Sequence, residues 1–440
     1  MNRLLLPGMG CLLVLSMTNG TLFEAVAVTL SGYCFLIFVQ RVGSRIAILE
    51  CIAFVAALEI LLVPALTYWI FPASMPIESN QYFRYALPAF AAFYGGIRWA
   101  GPLPAGSHGD YVARASAYLS SFPALSGLLF VIGLAGFWAK LTDAGVPGFL
   151  STLPAYCLPV SVLYAWCSRS RYRFWLTAGV GAILLFETVR TGMFGELASG
   201  LLLLLLVGTV AKPPSVPVKA GLVGLGVGCL LLVQSIKSEY RHGTWGGQRH
   251  ERTANAGLMA DLLTDRLTHP EKILNAPQLF RSVARFNQAI MIGNAMTIVP
   301  THEPFANGEV LLSFFVPLVP RPLWPGKPQT GGRENIRRFT SLPQFENTSI
   351  NLSPLGEGYV NFGYGGILFS LVYGLVLGGS FRAVFRVAER VPSMVLWLPM
   401  LFSGCLTMET DLLSTWGSLV NGAVFVALLF WLMKQFGINL

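Results

Sequence analysis

One polar passage, from Lys237 to Gly358, interrupts a chain otherwise written as apolar runs about 20 residues long, the length that crosses the ~30 Å hydrocarbon core of a bilayer. The runs fall near residues 4–18, 21–40, 46–70, 82–97, 116–139, 148–167, 174–189, 195–211 and 219–236, then near 359–379, 393–408 and 413–433. They add up to about twelve spans. Only 12% of the residues are charged, against about 25% in an ordinary soluble domain. The expectation is an all-α polytopic membrane protein with three parts: an N-terminal bundle over 1–236, a large external loop over 237–358, and C-terminal helices over 359–440.

Charge sets the orientation. Every second connection carries arginine or lysine: Arg41 and Arg45, Arg98 and Arg114, Arg169 to Arg173, Lys212 and Lys219, then Arg382, Arg386 and Arg390. Short basic loops stay in the cytoplasm, while long loops are exempt from the rule. Both termini are therefore expected inside, and residues 237–358 outside. The net charge of +9 is explained by orientation and gives no case for nucleic acid. The seven cysteines lie in or beside apolar runs, which implies no disulfide framework and no thiolate zinc site. The run at 4–18 lacks a small-residue cleavage site and reads as a retained helix.

The polar passage has shape of its own. Residues 257–295 show helical spacing of Leu258, Leu262, Leu263, Leu267, Phe286 and Ile290, and Val310 to Pro320 is apolar but too short to cross. The prolines between Pro317 and Pro328 then extend the chain.

Sequence signatures of ATP hydrolysis, zinc proteolysis and serine hydrolysis are missing. The passage instead holds thirteen of the thirty lysines and arginines. Together with Arg190, the cations Arg241, Arg249, Arg252, Arg281, Arg285, Arg321, Lys327, Arg333, Arg337 and Arg338 suit a lipid-linked phosphate, because a planar guanidinium binds phosphate through two donors. Anionic headgroups or plain solvation would also account for any one of them. Arg190 is confined to a short connection, where it either meets an anionic headgroup or pairs with Glu187 or Glu196. Glu24 and Glu59 sit inside apolar runs and either line a cavity or pair with Arg84. The spacing of His242, His250, His269 and His302 matches no metal-ligand pattern. Among the acids Glu239, Glu303, Glu334, Glu346 and Glu357, the last stands where the passage re-enters the membrane. There it is either a partly desolvated base, its pKa raised into a useful range, or an acid favouring a helix start.

Two motifs extend this reading. Val319-Pro-Arg-Pro-Leu-Trp-Pro-Gly-Lys-Pro328 and Gly356-Glu-Gly-Tyr-Val-Asn-Phe-Gly-Tyr-Gly-Gly366 resemble elements of the Wzy-type O-antigen and exopolysaccharide repeat-unit polymerases. Ile236-Lys-Ser-Glu-Tyr-Arg241, Arg285-Phe-Asn287 and Asn307-Gly-Glu309 add to the likeness. Arg190-Thr-Gly192 is similar to the arginine motif of that family and of the related O-antigen ligases, with Val189 in place of serine. The resemblance covers about residues 185 to 380, and it implies a GT-C-like glycosyltransferase in the bacterial cytoplasmic membrane.

Such an enzyme would pass a growing glycan from undecaprenyl pyrophosphate to an incoming lipid-linked repeat, with inversion and with no cofactor. A chain-length regulator and a flippase are the partners it implies. Arg190, Arg241, Arg285 and Arg321 would hold the pyrophosphate in place of a metal. Glu357 would be the base, with Glu303 and His302 in reserve. Tyr359 and Asn361 would orient sugars or the loop, and Trp324 would stack on a sugar beside Lys327. An O-antigen-ligase-like transferase and a transporter of lipid-linked sugars are the alternatives.

Overall fold

The computed structural model describes residues 20–100, 106–142, 148–210, 212–244, 255–274, 280, 284–319, 323–324, 326–328, 330, 332–342 and 351–438. The expected first span at 4–18, the site residue Arg321, and Cys11, Arg249, His250, Arg252, Arg281 and Glu346 lie outside them. Among the described residues the fold is helical, without a named strand, and an isolated bridge joins Val42 to Arg45. Among the described residues, seven helices are long and apolar enough to cross a membrane: Leu22–Arg41, Ile48–Ile70, Ala124–Leu141, Arg173–Thr191, Val216–Thr244, Pro354–Ala388 and Leu412–Gln435.

The other expected spans differ for local reasons. Ser79–Trp99 is a 21-residue helix whose first turns carry Asn80, Gln81 and Arg84. The run at 116–139 divides into His108–Ser120 and Ala124–Leu141, parted at Pro123, which has no N–H to continue the ladder. The run at 148–167 divides at Tyr156, one residue after the helix that contains Pro154. Phe194–Gly208 has 15 residues. Residues 392–405 alternate 3₁₀ and α turns and bury Val395, Leu396, Trp397 and Leu398 completely, so this segment is core.

Two helices form the spine. Ser79–Trp99 lies against Gly366–Ala388 so closely that a Cβ on Gly96 or Gly374 would fall on the facing backbone, and one on Gly378 would stand 2.7 Å from Ile97 O. Small residues permit this approach where helices pack in lipid. Tyr85 crosses the same seam and donates to Leu355 O at 2.6 Å.

Contacts among the connections fall into two sets, one at each end of the bundle. At one end Lys219 Nζ donates to Val39 O, Ile46 N to His108 Nδ1, and Arg382 Nη2 to Ile97 O. At the other, Lys140 meets Glu187, Arg241 meets Gly192 O, and Arg285 meets Glu409. The basic connections with described contacts thus share an end, as the alternation of charge implies. The polar passage packs at the opposite end as the helices Ala256–Thr268 and Gln288–Ile298 and as helical turns over Glu309–Leu318. Those turns lie on Leu412–Gln435, where Trp416 Nε1 donates to Phe314 O at 2.9 Å.

Candidate functional site

The Arg173–Thr191 helix ends at Gly192, whose φ of +65° favours glycine and turns the chain toward Phe194–Gly208. Arg190 reaches back one turn and grips Glu187 through two bonds of 2.9 Å, while Lys140 takes the same carboxylate at 3.0 Å. The ion-pair alternative for Arg190 is therefore the geometry found, with Glu187 as the partner. Arg241 covers the same corner and donates to Gly192 O at 3.2 and 3.1 Å, satisfying a carbonyl beside the helix end. Tyr240 donates to Val189 O.

Beyond Arg241, one turn earlier on its helix, lies Lys237, 8% exposed. Its charged neighbours are Arg285, Arg241 and Glu409. Glu409 belongs to the connection Thr407-Met-Glu-Thr-Asp411, which leads into the last helix. Arg285 Nη2 stands 3.8 Å from Glu409 Oε2, and among the described residues Oε1 of the same carboxylate is buried without a hydrogen-bond partner. Burial raises the Glu409 carboxyl above the usual range, and Arg285 and Lys237 draw it part of the way back. This acid combines a free acceptor atom with adjacent cations, which is what proton transfer beside a departing anion requires.

The same connection is tied to two buried glutamates. Glu59 lies in a π turn over Leu58–Leu62 and accepts from Thr407 Oγ1 at 2.8 Å and Met408 N at 2.7 Å. It does not pair with Arg84, and neither does Glu24, which accepts from Thr21 N, Trp69 Nε1 and Ser79 Oγ. Both sequence expectations for an Arg84 pair are corrected: the capping box at Thr21 and the 406–411 connection supply closer donors.

Glu357 stands in the first turn of Pro354–Phe362, where Ser353 caps the helix and Pro354 occupies its first position. It is 2% exposed. Oε1 accepts from Asn335 Nδ2 and Oε2 from Leu412 N, each at 2.7 Å, so the carboxylate also closes the N-terminus of Leu412–Gln435. The Asp411 carboxylate, buried with Oδ1 unpartnered, adds like charge beside it. Glu357 is thus a buried acid holding two elements together.

The remaining sequence candidates take their places around it. Asn361 accepts from Gly308 N and Val310 N and donates to Glu357 O at 2.8 Å, which pins the turn at 308–310 to the helix. Tyr359 packs between Tyr85 and Phe305, with ring centroids 5.0 and 6.3 Å away. Glu303 is paired with Arg338, which also holds Glu309, and Arg338 shares its short helix with Asn335. His302 is exposed next to Glu303. Trp324 is exposed, and Lys327 Nζ donates to Val319 O at 2.7 Å, closing the proline-rich turn.

The structure therefore brings Arg241 and Arg285 to one cluster, with Arg190 at its edge, and ties Glu357 to that cluster through the 406–411 connection. Sequence reasoning missed Lys237, Glu409 and Asp411. Two acids in a five-residue connection of a charge-poor region were the available signal.

The family described as a domain of unknown function (DUF8712) matches residues 126–407. The chain belongs to this family. The DUF8712 match takes in Arg190, Lys237, Arg241, Arg285 and Glu357, while Glu59, Glu409 and Asp411 fall outside it. No curated protein and no solved structure matches the chain.

Proposed function

We propose that this protein is a membrane glycosyltransferase that lengthens undecaprenyl-pyrophosphate-linked oligosaccharides at the outer face of a bacterial cytoplasmic membrane. In this reading the chain spans about twelve times with both termini inside, and 237–358 forms the external loop. The observation that carries it is the meeting of Lys237 and Arg285 with Glu409, a carboxylate that keeps one oxygen unpartnered among the described residues.

In the proposed step the hydroxyl oxygen of the incoming repeat attacks the anomeric carbon of the growing glycan. The bond from that carbon to the pyrophosphate oxygen breaks, and the leaving group departs with the electron pair. The hydroxyl proton passes to a carboxylate. Inversion follows from the single displacement, and the cations stabilise the charge that grows on the diphosphate in a water-poor site. Glu409 suits the base role better than Glu357, because both Glu357 oxygens already accept hydrogen bonds. Glu357 would then act as a positioning residue, fixing the start of the last helix and so the connection that carries Glu409.

Purified protein in liposomes, given lipid-linked repeats, should build a ladder of glycan lengths with no added metal. Unlengthened repeats, from a preparation whose substrate a known polymerase can use, would overturn the proposal. A second reading is transport of lipid-linked sugars, favoured by the break at Gly363–Gly365 within the long Pro354–Ala388 segment, since interrupted helices bind cargo in transporters. Movement of a labelled lipid-linked repeat between leaflets without new glycosidic bonds would select it.

A further inference from the structure

At the end of the bundle opposite Glu409, a cavity of about 500 Å³ opens between the Ser79–Trp99 and Gly366–Ala388 helices and the connections at 44–45 and 106–108. Its size falls within the range of small-molecule sites. Three guanidinium groups line it: Arg45, Arg98 and Arg382. Among the described residues none is well satisfied. Arg45 Nη1 lies 3.6 Å from Glu50 Oε1, longer than the 2.7–2.9 Å of a charge-assisted hydrogen bond. Arg98 Nη1 has Tyr94 Oη at 3.4 Å. Arg382, 8% exposed, gives Nη2 to Ile97 O at 3.2 Å, and its Nη1 is buried without a partner.

Glu50 is the acid on the lining and offsets one of the three charges. His108 adds none. Its Nδ1 accepts from Ile46 N at 3.2 Å, and burial together with Arg45 pushes its pKa down to about 4. The neutral ring then carries its proton on Nε2. Asp110, in the same first turn, is committed to Ser107 through the capping box. Arg41 and Arg386 stand just outside and add positive potential. The lining therefore holds surplus positive charge in a partly enclosed space, a state that an anion relieves.

We propose that this cavity binds a phosphate monoester with an apolar portion. The fork of each guanidinium matches phosphate oxygens, and the wall formed by Leu49, Ile97, Tyr94 and Phe381 suits an alkyl or acyl part. The chemistry belongs equally to a phospholipid of the phosphatidic acid type and to a soluble organic phosphate. The site stands apart from Glu409 and does not rest on the glycosyltransferase reading.

Full-length protein in a neutral detergent, titrated with dihexanoyl phosphatidic acid, glycerol phosphate and dihexanoyl phosphatidylcholine, tests it by calorimetry and native mass spectrometry. Phosphatidic acid should bind at one site and phosphatidylcholine at least about tenfold more weakly. Glycerol phosphate should bind about tenfold more weakly than phosphatidic acid, which identifies a lipid, whereas equal binding identifies a soluble phosphate and overturns the role given to the apolar wall. Arg98→Gln should weaken the phosphate ligand about tenfold, while this exposed side chain has only Tyr94 to lose, through a long hydrogen bond and a distant ring contact. Arg171→Gln, at an exposed arginine outside the lining, should leave affinity unchanged. Equal binding of phosphatidic acid and phosphatidylcholine, or unchanged affinity in Arg98→Gln, overturns the proposal.

Discussion

Arginine is used differently at the two ends of the bundle. Near the polar passage, Arg190 clasps Glu187 through two bonds, Arg241 covers Gly192 O, and Arg338 joins Glu303 to Glu309. At the other end, Arg45 and Arg98 have only long contacts, and Arg382 keeps a donor unmatched. Where arginine is matched, its charge is spent on architecture, and the open groups are neighbours such as Arg285, with one long contact, and Glu409, with one oxygen unpartnered among the described residues. Where it is unmatched, the open donors stay with arginine itself. Counting guanidinium groups therefore says less about a site than asking which donors remain open.

This contrast can be broken most sharply at Glu409. Glu409→Gln keeps the shape but removes the proton acceptor, so under the proposed function glycan extension should fall by about 10²–10⁴ while membrane insertion is unchanged. Burial holds the wild-type carboxyl above the ordinary range, and in the proposed role it accepts a proton only when ionised. Extension should accordingly rise with pH through a limb displaced above the usual carboxylate range, and the variant should lose that limb. A wild-type rate that stays flat through that region would remove Glu409 from the mechanism.

The next effect is on stability. Glu357→Ala leaves Leu412 N and the Asn335 amide without their acceptor, at a cost of about 1–3 kcal/mol in thermal unfolding. Glu357→Gln should recover only part of this, since its amide nitrogen must face one of two donors. Full recovery would show that one of the two donors does not depend on the carboxyl.

A smaller effect is expected at Arg190. Arg190→Ala leaves Lys140 on Glu187, so the loss of stability should stay within about 1 kcal/mol, read from the midpoint of denaturant unfolding. The smallest belongs to Arg98. Arg98→Gln should move stability by no more than about 0.5 kcal/mol while weakening phosphate binding, and a larger drop would show that its contacts are structural after all.

The helical membrane character was readable because an apolar run about 20 residues long states it directly. The breaks at Phe122, Tyr156 and 392–405 were harder to read. Hydropathy passes smoothly across them, although Pro123 and Pro154 marked two of the places. Glu357 and Asn361 stood out by motif, and their neighbours did not, because Asn335 and Leu412 come from elements remote in sequence. Glu59 was visible as an acid in an apolar run, but its partners, Thr407 and Met408, lie more than 340 residues away. The cavity at Arg382 was hidden for another reason. Orientation in the membrane already explained those arginines, so nothing in the sequence asked for a second role.

The π turn at Leu58–Leu62 sets the phase of everything after it on that helix. Its wider loop absorbs one extra residue, and each residue of an α-helix advances by about 100°. Shortening the stretch by a single position would let a regular ladder run through and swing Tyr68 and Trp69 around the axis, away from Ile77 O and Glu24. Deletion of one position there would thus scramble a surface two turns downstream while leaving the segment as apolar as before, a change that a hydropathy profile would barely register.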